Sequence, residues 1–113
     1  MASATYDLFA EAIRGRQQIL CSYKGAPREV CPIILGHSQG EERALTWQFA
    51  GQNHKGEAVA GEWRCLVLSA VQEARLRAGP WHSGSSHNLP QSCVARVDLD
   101  VNPSSPYQPQ RKS

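Results

Sequence analysis

The sequence predicts a mostly β fold, a small barrel of five to six short strands preceded by one α-helix. Three observations point to it. Apolar residues keep helical spacing over residues 4–14 and switch to strict alternation from Gln17 onward. Five or six alternating stretches then follow, with hairpin-length connections and no second helical pattern. The chain has 113 residues, enough for one core and too few for two. Short strands with no helices between them leave exposed edges, and closing the sheet on itself removes those edges.

The helix comes first. Leu8, Phe9, Ala12 and Ile13 form one apolar stripe. Ser3 is placed to cap its N-terminus, and Asp7 lies near the positive end of its dipole. Gly15 is expected to stop it, with Arg14 and Arg16 beside the negative end. Such a helix would lie over one opening of the barrel.

In the first strand Ile19, Cys21 and Tyr23 alternate with Gln18, Leu20 and Ser22. Lys24-Gly25-Ala26-Pro27 reads as a turn. A second strand covers about 28–36. It contains Pro32, which donates no ladder hydrogen bond and so implies an edge or a bulge. After Ser38-Gln39-Gly40, a third strand over about 42–50 sets Ala44, Thr46 and Gln48 against Leu45, Trp47 and Phe49. The glycine-rich stretch 51–61 reads as a long loop. A fourth strand, about 62–69, opposes Trp63, Cys65 and Val67 to Arg64, Leu66 and Leu68. A fifth covers about 71–77 and ends before Gly79-Pro80. Residues 80–92 are polar and read as a loop, and 93–101 alternate as a last strand. From Asn102 the chain carries Pro103, Pro106 and Pro109 and no apolar pattern, so 1–101 is read as the domain and 102–113 as a disordered tail.

Charge and cysteine usage exclude several function classes. The net charge of +2, from 12 basic and 10 acidic residues, predicts no strong electrostatic footprint for nucleic acid or a membrane. No apolar run approaches the roughly 18 residues of a membrane span. Met1 to Phe9 show no export signal, so a cytoplasmic location is expected. Cys21, Cys31, Cys65 and Cys93 form no C-x-x-C pair. They are expected to be reduced thiols acting as small buried hydrophobes. His37, His54, His82 and His87 show no ligand spacing, so neither a metal nor a cofactor is expected. The segment His82-Ser83-Gly84-Ser85-Ser86-His87 reads as a polar loop, and Asp98 with Asp100 as the solvent face of an edge strand. With no framed nucleophile or acid–base pair, the chain is not expected to be an enzyme.

Aromatic and basic side chains remain. Trp47, Trp63 and Trp81, with Arg28, Arg64, Arg75, Arg77 and Arg96, have the composition of a face that stacks single-stranded bases. The competing reading places Trp47 and Trp63 in the core and gives Arg28 a surface ion pair with Glu29 or Glu42.

The segment Leu8-Phe9-Ala10-Glu11-Ala12-Ile13 is followed by Ile19-Leu20-Cys21-Ser22-Tyr23, and then by Arg28-Glu29-Val30-Cys31-Pro32 with Leu35. This resembles the opening of the WYL domain. Trp63-Arg64-Cys65-Leu66-Val67-Leu68-Ser69-Ala70-Val71 is similar to a later strand of that family, and the resemblance covers about residues 8–78. It implies an SH3-like or Sm-like barrel. It also implies a regulatory module that binds a nucleotide or single-stranded nucleic acid, with a ligand site drawn from Tyr23, Arg28 and Arg64 together with Arg75 or Arg77; the aromatic and basic composition adds Trp47 and Trp63 as candidates. The triplet that names the family falls on Arg43-Ala44-Leu45, of which Leu45 alone matches, and a pocket arginine of the family falls on Ala70. Two further expectations stand beside this one: a protein-interaction or assembly module without a small-molecule ligand, and a homo-oligomer formed through a barrel edge.

Overall fold

The structure, a computed structural model, describes residues 2–82 and 93–101. The predicted tail and residues 83–92 of the predicted 80–92 loop lie outside the described residues.

Helix α1 (Ala4–Gly15) begins where the sequence places it. The Ser3 hydroxyl accepts from the Tyr6 N–H, which satisfies one of the free donors of the first turn. Phe9, Ala10, Ala12 and Ile13 are buried, and Leu8 is half-buried. The stop differs from expectation. Gly15 is the last helical residue, and it is Arg16 that turns left-handed (φ 49°), its N–H returning to the last turn.

Six strands follow: β1 (Gln18–Tyr23), β2 (Ala26–Ser38), β3 (Glu41–Gly51), β4 (Glu62–Val67), β5 (Val71–Arg77) and β6 (Arg96–Asp100). The β1–β2 turn is tighter than the four residues read from the sequence. Tyr23 already pairs with Ala26, leaving Lys24 (φ 51°) and Gly25 (φ 75°) as a two-residue turn. Positive φ at both positions matches the twist of the strands it joins. A 3-10 turn over Leu68–Ala70 separates β4 from β5.

All pairing is antiparallel, in the order β4-β3-β2-β1-β5, with β6 added to β2. β2 carries β3 along one edge. Its other edge is shared end to end, by β1 up to Val30 and by β6 from Ile34. Pro32 falls between those two ladders, and the β3 register shifts between Pro32 and Ile34. The predicted bulge is therefore present, at the point where a missing N–H does least harm. β4 and β5 are the two ends of the path. No ladder joins them among the described residues, so the sheet is not closed into the barrel expected from the sequence. The chain leaves β4 through the 3-10 turn rather than a hairpin. The Tyr23 hydroxyl spans the interval by accepting from the Val67 N–H at 3.1 Å.

Both faces of the sheet are apolar. On one, α1 packs over Ile19, Cys21, Tyr23, Val30, Leu35, Ala44 and Leu66. On the other, Ile33, Ile34 and Leu45 meet Cys93, Val94 and Val97, with Trp63 and Trp81 at the margin. The expectation of four reduced thiols is wrong, because Cys65 and Cys93 form a disulfide. They are 28 residues apart in the chain, but β4 and the segment entering β6 meet on this second face. Cys21 and Cys31 are free and buried, as expected.

Candidate functional site

The seven residues singled out from the sequence fall into three places. Tyr23, Arg28 and Arg64 come together on the α1 side of the sheet. Cys21 pairs with Arg28 across β1 and β2, so the Arg28 side chain shares a face with Tyr23 and Val30. It is 4 % exposed. Its guanidinium donates twice to the Tyr23 carbonyl, at 3.3 and 3.2 Å, and once to Gln48 Oε1 at 3.2 Å. It also lies over the Tyr23 ring, 5.3 Å from the centroid. The expected surface ion pair with Glu29 or Glu42 does not form: Arg28 is buried, and its hydrogen-bond partners are neutral. Burial, and then the charge of Arg64, lower the affinity of Arg28 for its proton.

Gln48 links this group. Its Oε1 accepts from Arg28 and also from Arg64 Nε at 3.3 Å, while its amide donates to the carbonyls of Ala50 and Gln52. Arg64 additionally pairs with Glu62. Gln48 was not singled out from the sequence, although a signal was there. It occupies the face of β3 that carries Ala44 and Thr46, and a polar side chain on a core-facing position needs partners of its own.

Arg75 and Arg77 lie elsewhere, in a cleft of about 440 Å³ formed by β1, β2 and β5. Leu20, Ser22, Pro27, Glu29 and Glu73 line it, and so does Arg28. A register shift between Leu20 and Ser22, with Glu73 left-handed at φ 54°, sets β5 against β1 here. Arg77 is tied down, to Glu29 at 2.6 Å and to Gln18 Oε1 at 2.7 Å. Arg75 is exposed and has no carboxylate partner among the described residues.

Trp47 and Trp63 form the third place. They face each other across β3 and β4, ring centroids 5.2 Å apart and close to edge-on. Both are half-buried, so neither the fully buried reading nor the free stacking platform describes them. They sit on the disulfide face, away from Arg28 and Arg64. Phe49 beside them stacks on His82 at 4.2 Å.

The two aspartates read as a solvent face are engaged. Asp98 accepts from the Tyr6 hydroxyl at 2.7 Å and lies 2.9 Å from His37 Nδ1. Asp100 is buried. Arg96 reaches His37 and Asp98 on this same edge and lies apart from the other arginines. The Asp98 carboxylate and partial burial hold the Tyr6 phenol well above its usual range, burial being the larger cause. Among the described residues no three His, Cys, Asp or Glu side chains are grouped to hold a metal ion, and no helix is long and apolar enough to cross a membrane.

No protein-family model matches the chain, and no curated protein or solved structure does either.

Proposed function

We propose that the chain is a WYL-like ligand-binding or regulatory module on an SH3-like or Sm-like sheet. Its ligand carries a phosphate, either a nucleotide or the backbone of a single-stranded nucleic acid, and the β1–β2–β5 cleft receives it. One observation supports this reading. Arg28, Arg75 and Arg77, up to 49 positions apart in the chain, line one cleft, and among the described residues only Arg77 is matched there by a carboxylate. A guanidinium offers a planar pair of donors suited to phosphate oxygens. Arg28, buried without a counter-ion, gains from any anion that approaches it. The tryptophans lie outside this site, so binding rests on phosphate rather than on base stacking, and affinity falls with salt through counterion release.

The test is calorimetry with a nucleoside triphosphate and with inorganic phosphate, and fluorescence anisotropy with labelled single-stranded DNA and RNA, at low and physiological salt. An Arg75→Ala/Arg77→Ala double variant is expected to lose binding, while Trp47→Leu keeps it. Equally poor binding by wild type and the double variant would sink the reading. A protein-interaction role through the end strands β4 and β5 would then be the better account.

A further inference from the structure

The disulfide face carries a second kind of chemistry, independent of the cleft. Alternation along β4 puts Cys65 on this face, where it is exposed, while Cys93 is 6 % exposed. The bond between them fastens β4 to the segment that enters β6. That segment covers apolar surface. Val94 is fully buried and, with Cys93 and Val97, packs on Ile33, Ile34 and Leu45, next to Trp63 and Trp81. Between the disulfide and β6, the Ala95 N–H donates to the His37 carbonyl at 3.0 Å.

We propose that Cys65–Cys93 is an exchangeable thiol–disulfide site, opened by a small thiol or dithiol reductant, and that its opening loosens residues 93–95 from the sheet. A reductant thiolate attacks the sulfur of Cys65, the exposed residue of the pair. The sulfur–sulfur bond breaks, its electron pair leaves on Cys93, and Cys65 is left in a mixed disulfide with the reductant. A second thiolate attacks the reductant's sulfur in that mixed disulfide, releasing Cys65 as a thiolate and the reductant as its own disulfide. The protein gains two electrons, and two protons from water convert both thiolates to thiols. The asymmetry in exposure selects the order: Cys65 is attacked and Cys93 leaves. Cys21 and Cys31 stay out of the exchange. They are buried, and burial holds their thiols protonated, that of Cys21 being pushed up to about 11. Persistent disulfides belong to oxidising compartments, and in a reducing one such a bond is transient and redox-sensing.

Trp47, Trp63 and Trp81 all lie at or beside this face and are the three tryptophans of the chain, so intrinsic fluorescence reports on it. The experiment exposes the air-oxidised, full-length protein to millimolar reduced glutathione without denaturant. Samples are quenched with an alkylating reagent and digested, the cysteines are read by mass spectrometry, and tryptophan emission is followed in parallel. The expected result is a glutathione adduct that forms on Cys65 before free Cys93 and Cys65 accumulate, Cys21 and Cys31 unmodified, and an emission change at the same rate. A Cys65→Ser/Cys93→Ser variant should start with the emission of the reduced protein and ignore glutathione. A Cys21→Ser/Cys31→Ser variant should respond like wild type. A bond that survives millimolar glutathione in the folded protein but opens in urea is a structural staple, and overturns the proposal. So does an adduct on Cys93 first, reduction without any emission change, or four free thiols in the oxidised preparation.

Discussion

Gly36 sits where β6 crosses β2, and adding one carbon there probes how firmly the last strand is held. A Cβ on Gly36 would lie 1.9 Å from the Arg96 carbonyl oxygen and 2.6 Å from Val94 Cγ1, whereas real contacts begin near 3.0 Å. The nearest obstacle is backbone, so no rotamer change relieves it, and β6 must retreat by roughly 1 Å. Overpacking of this kind costs about 1–3 kcal/mol, and a backbone obstacle places Gly36→Ala at the upper end. If β6 gives way altogether, the burial of Val94 and Val97 is lost, worth about 1.5–3 kcal/mol each before the regained chain freedom is counted. Urea denaturation should show a loss of about 3 kcal/mol, with faster amide exchange at Ala95, whose N–H is bonded to His37. Gly15→Ala is the control. Its added carbon meets Gln17 at 3.6 Å, an ordinary contact just beyond the end of α1, and it should be neutral or stabilising by up to about 1 kcal/mol. A Gly36→Ala protein within about 1 kcal/mol of wild type, with unchanged exchange at Ala95, would refute the assignment of β6 to this edge of β2.

Three further outcomes are expected. Cys21 is protonated more tightly in the folded protein, its value raised from 9.0 to about 11, so its contribution to stability is complete below pH 9 and lost as pH rises through 11. That difference is worth about 2–3 kcal/mol; alkaline urea melts of Cys21→Ala should lack this share of the decline, and curves that stay parallel to wild type would contradict it. Ser3→Ala removes both the cap on Tyr6 and a bond to the Glu42 carboxylate; a loss of about 1 kcal/mol should lower the melting temperature by several degrees, and no shift would show that the first turn is frayed in solution. Tyr23→Phe strips the acceptor from the Val67 N–H; it should cost about 1–3 kcal/mol in denaturation while leaving phosphate binding intact, and a larger loss of binding than of stability would place the hydroxyl in the ligand site.

The local elements were legible because they are written in short-range pattern. The Ser3 cap, the Phe9–Ile13 stripe and the alternation in β3 each need only neighbouring residues, and β5 falls on the residues predicted. What was missed is non-local. Nothing in a separation of 28 residues shows that Cys65 and Cys93 meet, because that distance is set by β6 returning to β2. The same return brings Asp98 to Tyr6 and His37, from three separate elements. Arg28 is a different kind of miss. Its alternation with Ala26 and Val30 marks a core-facing position, yet charge argued for the surface, and Gln48 and the Tyr23 carbonyl are what make the interior tolerable. The residues singled out as one site therefore fall in separate places, since they occupy both faces of one sheet.

The divided edge of β2 has a consequence for synthesis. β1 to β5 are complete once residue 77 has emerged, but the edge of β2 from Ile34 to His37 pairs, among the described residues, with residues 95–100. For the time needed to make the intervening stretch, a nascent sheet presents an unpaired rim that includes Ile34 and Leu35, both of which are fully buried once folding ends. An open apolar edge is a template for another chain. β6 thus acts as the protein's own edge guard, arriving last and in cis. A chain cut after Arg77 should form the first five strands and then aggregate through that rim, and adding a peptide of residues 93–101 in trans should suppress the aggregation.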